Sequence, residues 1–177
     1  FCSCLVSCAS PPRVTYNRGA NIQNYSPIAV LEFEPSAGSY DMKTQLSGKM
    51  ISDYFEMILP MGMFKVANRR NLREVLNEQK FQMSGLTENS AMRIGKMVGA
   101  RSVLVGRVTN YRTSFNFFAM DCEFGYDISF MCKLLDVETG NILYAGASML
   151  RGCGSFEQTS EQLVYTTVRK MAGYRDK

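Results

Sequence analysis

In the middle of the chain the apolar positions keep a helical rhythm. Leu72, Val75 and Leu76 recur at one-turn spacing, and Met92, the Ile94–Gly95 step and Val98 do the same, so each segment offers one apolar stripe to a sheet. Val103, Leu104, Val105 and Val108 follow as a β-branched run, which predicts a strand buried on both faces. With a strand opening at Phe64, the block from Phe64 to Thr109 reads as strand, two helices and strand.

Upstream, Pro27 to Glu34 is apolar on both faces in its middle and predicts a central strand. Asp41 is placed to cap a helix in which Met42, Leu46, Met50, Tyr54 or Phe55, Ile58 and Leu59 hold a 3.6-residue rhythm, ended by Pro60 and Gly62. Gly48 in the middle of that helix costs about 1 kcal/mol against alanine and so marks close packing.

After Thr109 the period changes to two. Asn110, Arg112, Ser114 and Asn116 alternate with Tyr111, Thr113, Phe115 and Phe117; Asp121, Glu123, Asp127 and Ser129 alternate with Cys122, Phe124, Tyr126, Ile128 and Phe130. These are the arms of an amphipathic hairpin closed by Phe118 to Asp121. The loop sets Phe115 opposite Phe124, Tyr111 opposite Ile128 and Arg112 opposite Asp127. Val137 to Gly140 turns the chain into a further strand, with Gly140 in the left-handed position, and places Arg151 beyond Asp127. An Arg112, Asp127, Arg151 row then crosses three strands. The same register puts Cys122 and Cys132 on one face and Cys153 on the other, so no disulfide joins Cys153 to either. Leu163, Val164, Val168 and Met171 give a final helix, Phe156 to Met171, with Ser155 or Thr159 near its start.

The expected architecture is α/β (α+β): a mixed β-sheet packed by helices, in the order β-α-β-α-α-β-β-β-α, with an extended amphipathic β-hairpin. A chain of 177 residues that is 46% hydrophobic supports one well-buried core. That domain is placed at residues 27–177.

The start of the chain reads differently. Leu5-Val6-Ser7-Cys8 fits a bacterial lipobox, which makes residues 1–7 the end of a signal peptide and Cys8 the lipidated residue. Ala9 after that cysteine resembles outer-membrane sorting, and an acyl anchor needs no spanning helix. Residues 8–26 then form a lipid-anchored tether or arm, since Pro11 to Ser26 is polar and without periodicity.

Composition removes several chemistries. There is no histidine, so the usual general base, the usual zinc ligand and every Ser–His or Cys–His pair are absent. Asp41, Glu78 and Glu88 are the carboxylates near turns or helix ends, and a cap or surface role accounts for each. Gly95, Gly99 and Gly106 form no phosphate loop. Cys122, Cys132 and Cys153 lack paired-ligand spacing, so neither a metal nor a cofactor is expected, and no enzyme. The net charge of +4 is interspersed, with one tight basic group at Arg69, Arg70 and Arg73, and nucleic acid is not indicated.

Four ordered motifs carry a family resemblance: Phe64-x-Val-x-x-Arg-x-x-Leu-x-x-Val-Leu-x-Glu-Gln79, Ser84-Gly-Leu-Thr87, Gly99-Ala-x-x-x-Leu-Val-Gly106 and Leu135-Asp-Val-Glu-Thr-Gly-x-Ile-Leu143. Together they resemble the CsgG family of bacterial envelope lipoproteins, which includes the curli secretion subunit and is similar in its core to FlgO and LpoB. The resemblance implies a periplasmic, lipid-anchored part of a surface-appendage or secretion apparatus, curli-like or flagellar, acting as a homo-oligomer beside other envelope proteins. The alternative it implies is a regulator of a periplasmic enzyme such as a peptidoglycan synthase, as LpoB is.

In the curli pore each subunit gives two hairpins to a membrane barrel, and the first arises where Asn110 to Phe130 lies here. Little chain remains for the second. Alternation fits a barrel strand and equally a hairpin whose apolar face lies on helices or on a neighbouring subunit. Tyr111, Phe115, Phe117, Phe124, Tyr126 and Ile128 are accordingly the candidate oligomer or membrane contacts.

Overall fold

The computed structural model describes residues 13–18, 21–35, 42–78, 87–115, 124–153 and 155–174. Its elements are β1 (Arg13–Arg18), β2 (Ile28–Val30), α1 (Met42–Ile58), α2 (Arg69–Glu78), α3 (Glu88–Met97), β3 (Ser102–Phe115), β4 (Phe124–Asp136), β5 (Ile142–Cys153) and α4 (Phe156–Met171). The strands make one mixed sheet in the order β1-β5-β4-β3-β2, with β2 parallel to β3 and the other neighbours antiparallel.

Helices α1 and α4 cover one face of that sheet, because their apolar stripes and the even positions of β4 and β5 meet there. Phe33 stacks on Phe55 at 5.3 Å, and Phe130 meets the two rings edge-on at 5.8 and 5.6 Å. Ile128, Leu134, Leu163, Val164 and Val168 complete this core. On the other face α2 and α3 set Leu72, Ala91 and Ile94 against Ala29, Leu31, Val103 and Leu135.

The final helix has the bounds that the pattern predicts. Ser155 accepts from the Gln158 backbone N–H while the Gln158 side chain accepts from the Ser155 N–H, a reciprocal cap that satisfies two orphan donors. Gly140 has φ 73°, and the preceding Asp136 accepts from the Glu138 N–H at 2.9 Å and the Thr139 hydroxyl at 2.8 Å, which closes the turn.

Three expectations need correction. The stretch read as a tether contributes a strand: β1 pairs with β5, and Ile22 in the 3-10 turn Ile22–Tyr25 is fully buried. Ser102 and Arg101 donate to the Tyr25 and Asn24 carbonyls and hold this turn on the domain. Polar strand residues hid it, since an edge strand buries too little to show a period. The strand at Phe64 shrinks to a single parallel bridge between Val66 and Ile28, as helix α2 begins three residues later.

The third correction concerns α1. Phe55, Ile58 and Leu59 are buried as the rhythm predicts and Met50 packs against the core, but Ser47, Gly48, Ile51 and Ser52 face the sheet, one step around the helix from the expected Leu46. At Gly48 the chain just after β2 leaves no room for a side chain: a Cβ there would collide with the Phe33 carbonyl. Ser52 accepts from the Phe33 N–H at 2.8 Å and donates to the Gly48 carbonyl at 2.9 Å, so a small polar residue fills the contact without an unpaired group. Leu46 and Met57 are turned outward and half exposed. Asp41, the expected cap, lies outside the described residues.

Candidate interaction surfaces

A bulge at Thr109 decides which hairpin residues face the core. Before it Val108 pairs with Phe130, after it Asn110 pairs with Ser129, so the core-facing set on β3 passes from even to odd positions. Leu104, Val108 and Tyr111 thereby share one face. The register beyond the bulge is the one the alternation predicts: Tyr111 opposite Ile128, Arg112 opposite Asp127 and Phe115 opposite Phe124.

That face is largely committed within the domain itself. Ile128 is fully buried in the core, which corrects its expected role as an oligomer or membrane contact. Tyr111 and Tyr126 are half-buried; their rings stack at 6.2 Å, and Phe156 at the start of α4 meets them at 5.0 and 6.1 Å. The base of the hairpin is therefore an internal joint between β3, β4 and α4. The side chains of Phe115 and Phe124, all of Phe117, and Cys8 lie outside the described residues.

The opposite face of the sheet carries the ion row. Asp127 stands between Arg112 on β3 and Arg151 on β5. Arg151 grips it with two bonds, Nε to Oδ1 at 2.7 Å and Nη2 to Oδ2 at 3.1 Å, the fork geometry that suits a carboxylate. This pairing holds the Arg151 pKa above its ordinary value. Arg112 is exposed beside it.

Toward the middle of this face the surface turns apolar. Met131 is 56% exposed and Met149 50%; they sit diagonally across β4 and β5, since Met131 pairs with Ala147 and Ser129 with Met149. Arg13 on β1 lies opposite Met149 and is exposed. Arg107 pairs with Glu34, and Lys133 with Glu88 at 2.8 Å, on the side nearer α3. Met131 and Met149 keep this exposure although α2 and α3 pack on the same face around Leu72, Ala91 and Ile94. Sequence reasoning missed it, although Ala145, Ala147 and Met149 at the odd positions of β5 signal a second apolar face.

Little here is poised for chemistry. Cys132 is buried and its thiol pKa is pushed up to about 12 by desolvation, so it is inert as a nucleophile. It pairs with Gly146 on the core face, whereas Cys153 occupies an odd position of β5 on the other. The side chain of Cys153 and all of Cys122 are outside the described residues. Among the described residues no three carboxylates, histidines or cysteines cluster for a metal, and no helix is long and apolar enough to cross a membrane.

A family model described as "Curli production assembly/transport component CsgG" matches residues 16–121, more than half of the chain. The chain belongs to the CsgG family. Solved structures agree with it in fold. A PelC dodecamer from Paraburkholderia phytofirmans is 16% identical, with a TM-score of 0.59 over 93% of this chain and 99% of that one. Lipoprotein GNA1162 from Neisseria meningitidis is 19% identical, with a TM-score of 0.58 over 83% of this chain and 98% of that one. The hypothetical protein CT253 from Chlamydia trachomatis is 12% identical, with a TM-score of 0.53 over 83% and 95%. No curated protein sequence matches the chain. At these identities the likeness is one of fold, and the sheet flanked by α1 and α4 on one side and α2 and α3 on the other is this chain's form of the CsgG domain.

Proposed function

We propose that this CsgG-family chain is a lipid-anchored structural or assembly component on the periplasmic side of the outer membrane, serving a surface-appendage or secretion apparatus by self-association. It acts by binding rather than by catalysis. The observation that carries this reading is the part of the sheet face beyond α2 and α3, where Met131 and Met149 stand half exposed among arginines. An apolar centre with a charged rim, rich in Met and Arg, is the make-up of a protein interface. The family and the dodecameric state of PelC support a multimer of like chains.

Cys8 in Leu5-Val6-Ser7-Cys8 supplies the anchor. Growth with labelled palmitate tests that part: label is expected in the wild type and absent from Cys8→Ser, and label retained in the variant contradicts it. Light scattering on the detergent-extracted protein tests the rest. A multimer is the expected result, whereas a monomer returns the chain to the other reading, a regulator of a periplasmic enzyme.

A further inference from the structure

The molecule carries two unlike surfaces on opposite sides of its sheet. On the open part of this sheet face, Arg13, Arg112 and Arg151 lie around Met131 and Met149, with Asp127 held by Arg151, and with Glu34 and Glu88 held by Arg107 and Lys133 toward α3. On the outer side of the helical layer the start of α4 is acidic, and among the described residues Lys49 of α1 and Arg169 in the last turn of α4 are exposed cations beyond it. Glu157 and Glu161 are exposed on α4, and Tyr54 of the adjoining α1 lies close enough for both to raise its pKa, after the larger effect of desolvation. Glu157 is held ionised below the usual carboxylate range by backbone N–H bonding at the helix start and by Ser155. Leu46, 50% exposed, and Met57, 49% exposed, give this acidic surface its apolar part.

We infer that the open sheet face of one copy docks on the α1/α4 surface of the next, basic rim against acidic rim and methionines against methionine and leucine. This rests on the self-association proposed above and specifies its geometry. The two surfaces are different patches of one molecule, so the contact is heterologous: it repeats head to tail and gives a ring if the rotation closes or a filament if it does not. Charge complementarity selects the partner. Two sheet faces meeting each other would bring arginines together, and two helical faces would bring glutamates together, each costly. A second copy in the head-to-tail sense satisfies both rims at once.

The test uses the full chain and two variants. R13E/R112E reverses the sheet face while leaving the Asp127–Arg151 pair intact; E157Q/E161K reverses the helical face. Each alone is expected to weaken assembly on the order of ten-fold to a hundred-fold, with far-UV circular dichroism unchanged. An equimolar mixture of the two is expected to restore the wild-type mass, because every contact then pairs opposite charges in an alternating array. The wild-type multimer is also expected to lose mass between about 0.05 and 1 M salt as the rims are screened. A wild-type multimer that ignores salt, or variants that assemble as the wild type does, overturns this docking geometry and leaves self-association standing. A mixture that stays dissociated overturns it too. A wild type that is monomeric at all concentrations overturns self-association itself, and the geometry with it.

Discussion

Arg151 on β5 holds Asp127 on β4 through two hydrogen bonds of 2.7 and 3.1 Å, on the part of the sheet face that lies beyond α2 and α3. Arg151 is exposed, so water screens the pair and its worth to folding is small. The register of this hairpin is fixed instead by Ile128 and Phe130 on the buried face. Asp127→Ala should therefore unfold at nearly the wild-type denaturant midpoint. Its Arg151 Nε–H should exchange with water faster, as NMR would show. A collapse in stability would mean that the ion pair, and not the core, sets the register.

Gly48 separates two opposed effects. In an exposed helix alanine is better than glycine by about 1 kcal/mol. Here a Cβ would strike the Phe33 carbonyl, which is backbone and cannot turn aside. Gly48→Ala is expected to destabilise by about 1–3 kcal/mol, the usual cost of overpacking. Urea titration decides the sign, and a stabilised variant would show that α1 stands off from the sheet.

The aromatic joint at the hairpin base tests whether this region is domain interior. Phe156 is 9% exposed and touches Tyr111 and Tyr126. Its replacement by alanine should cost about 3 kcal/mol, seen as an earlier chemical unfolding midpoint. An unchanged midpoint combined with lost membrane association would favour a hairpin that leaves the domain for the bilayer.

The thiol of Cys132 gives a pH-dependent signature. Burial raises its pKa to about 12, while in the unfolded chain it ionises near its ordinary value of about 8.5. The group therefore favours the fold by an amount present in full below the unfolded pKa and changing from there upward: stability falls as pH rises from about 8.5 toward 12. Iodoacetamide at pH 8 should leave Cys132 unlabelled in the native protein and modify it in urea, read by peptide mass. Rapid labelling of the native protein would contradict the burial.

Much of this fold was legible because its strong periods have simple causes. The helix Phe156 to Met171 buries one continuous stripe, and the β3–β4 arms alternate strictly, so helix bounds and strand register could be read directly. Failure came where the usual sign of burial is absent. In the first half of α1 the core face is marked by Ser47, Gly48 and Ser52, because the close approach at Gly48 selects small residues, and the larger Leu46 misled the phase there although Phe55, Ile58 and Leu59 were placed correctly. β1 is too polar to announce itself. The candidate surfaces were only half legible: the Arg112, Asp127, Arg151 row followed from register, whereas the apolar patch needed β5 placed beside β4 before Met131 and Met149 became neighbours.

Self-association of this CsgG-family chain is read most plainly from its mass in solution. Multi-angle light scattering of the full-length, acylated protein in detergent, over a concentration series in low salt, tests it most directly. An assembly of like subunits gives one discrete mass several times that of the 19.9 kDa chain, falling as salt is added. A single-chain mass throughout the series would contradict it.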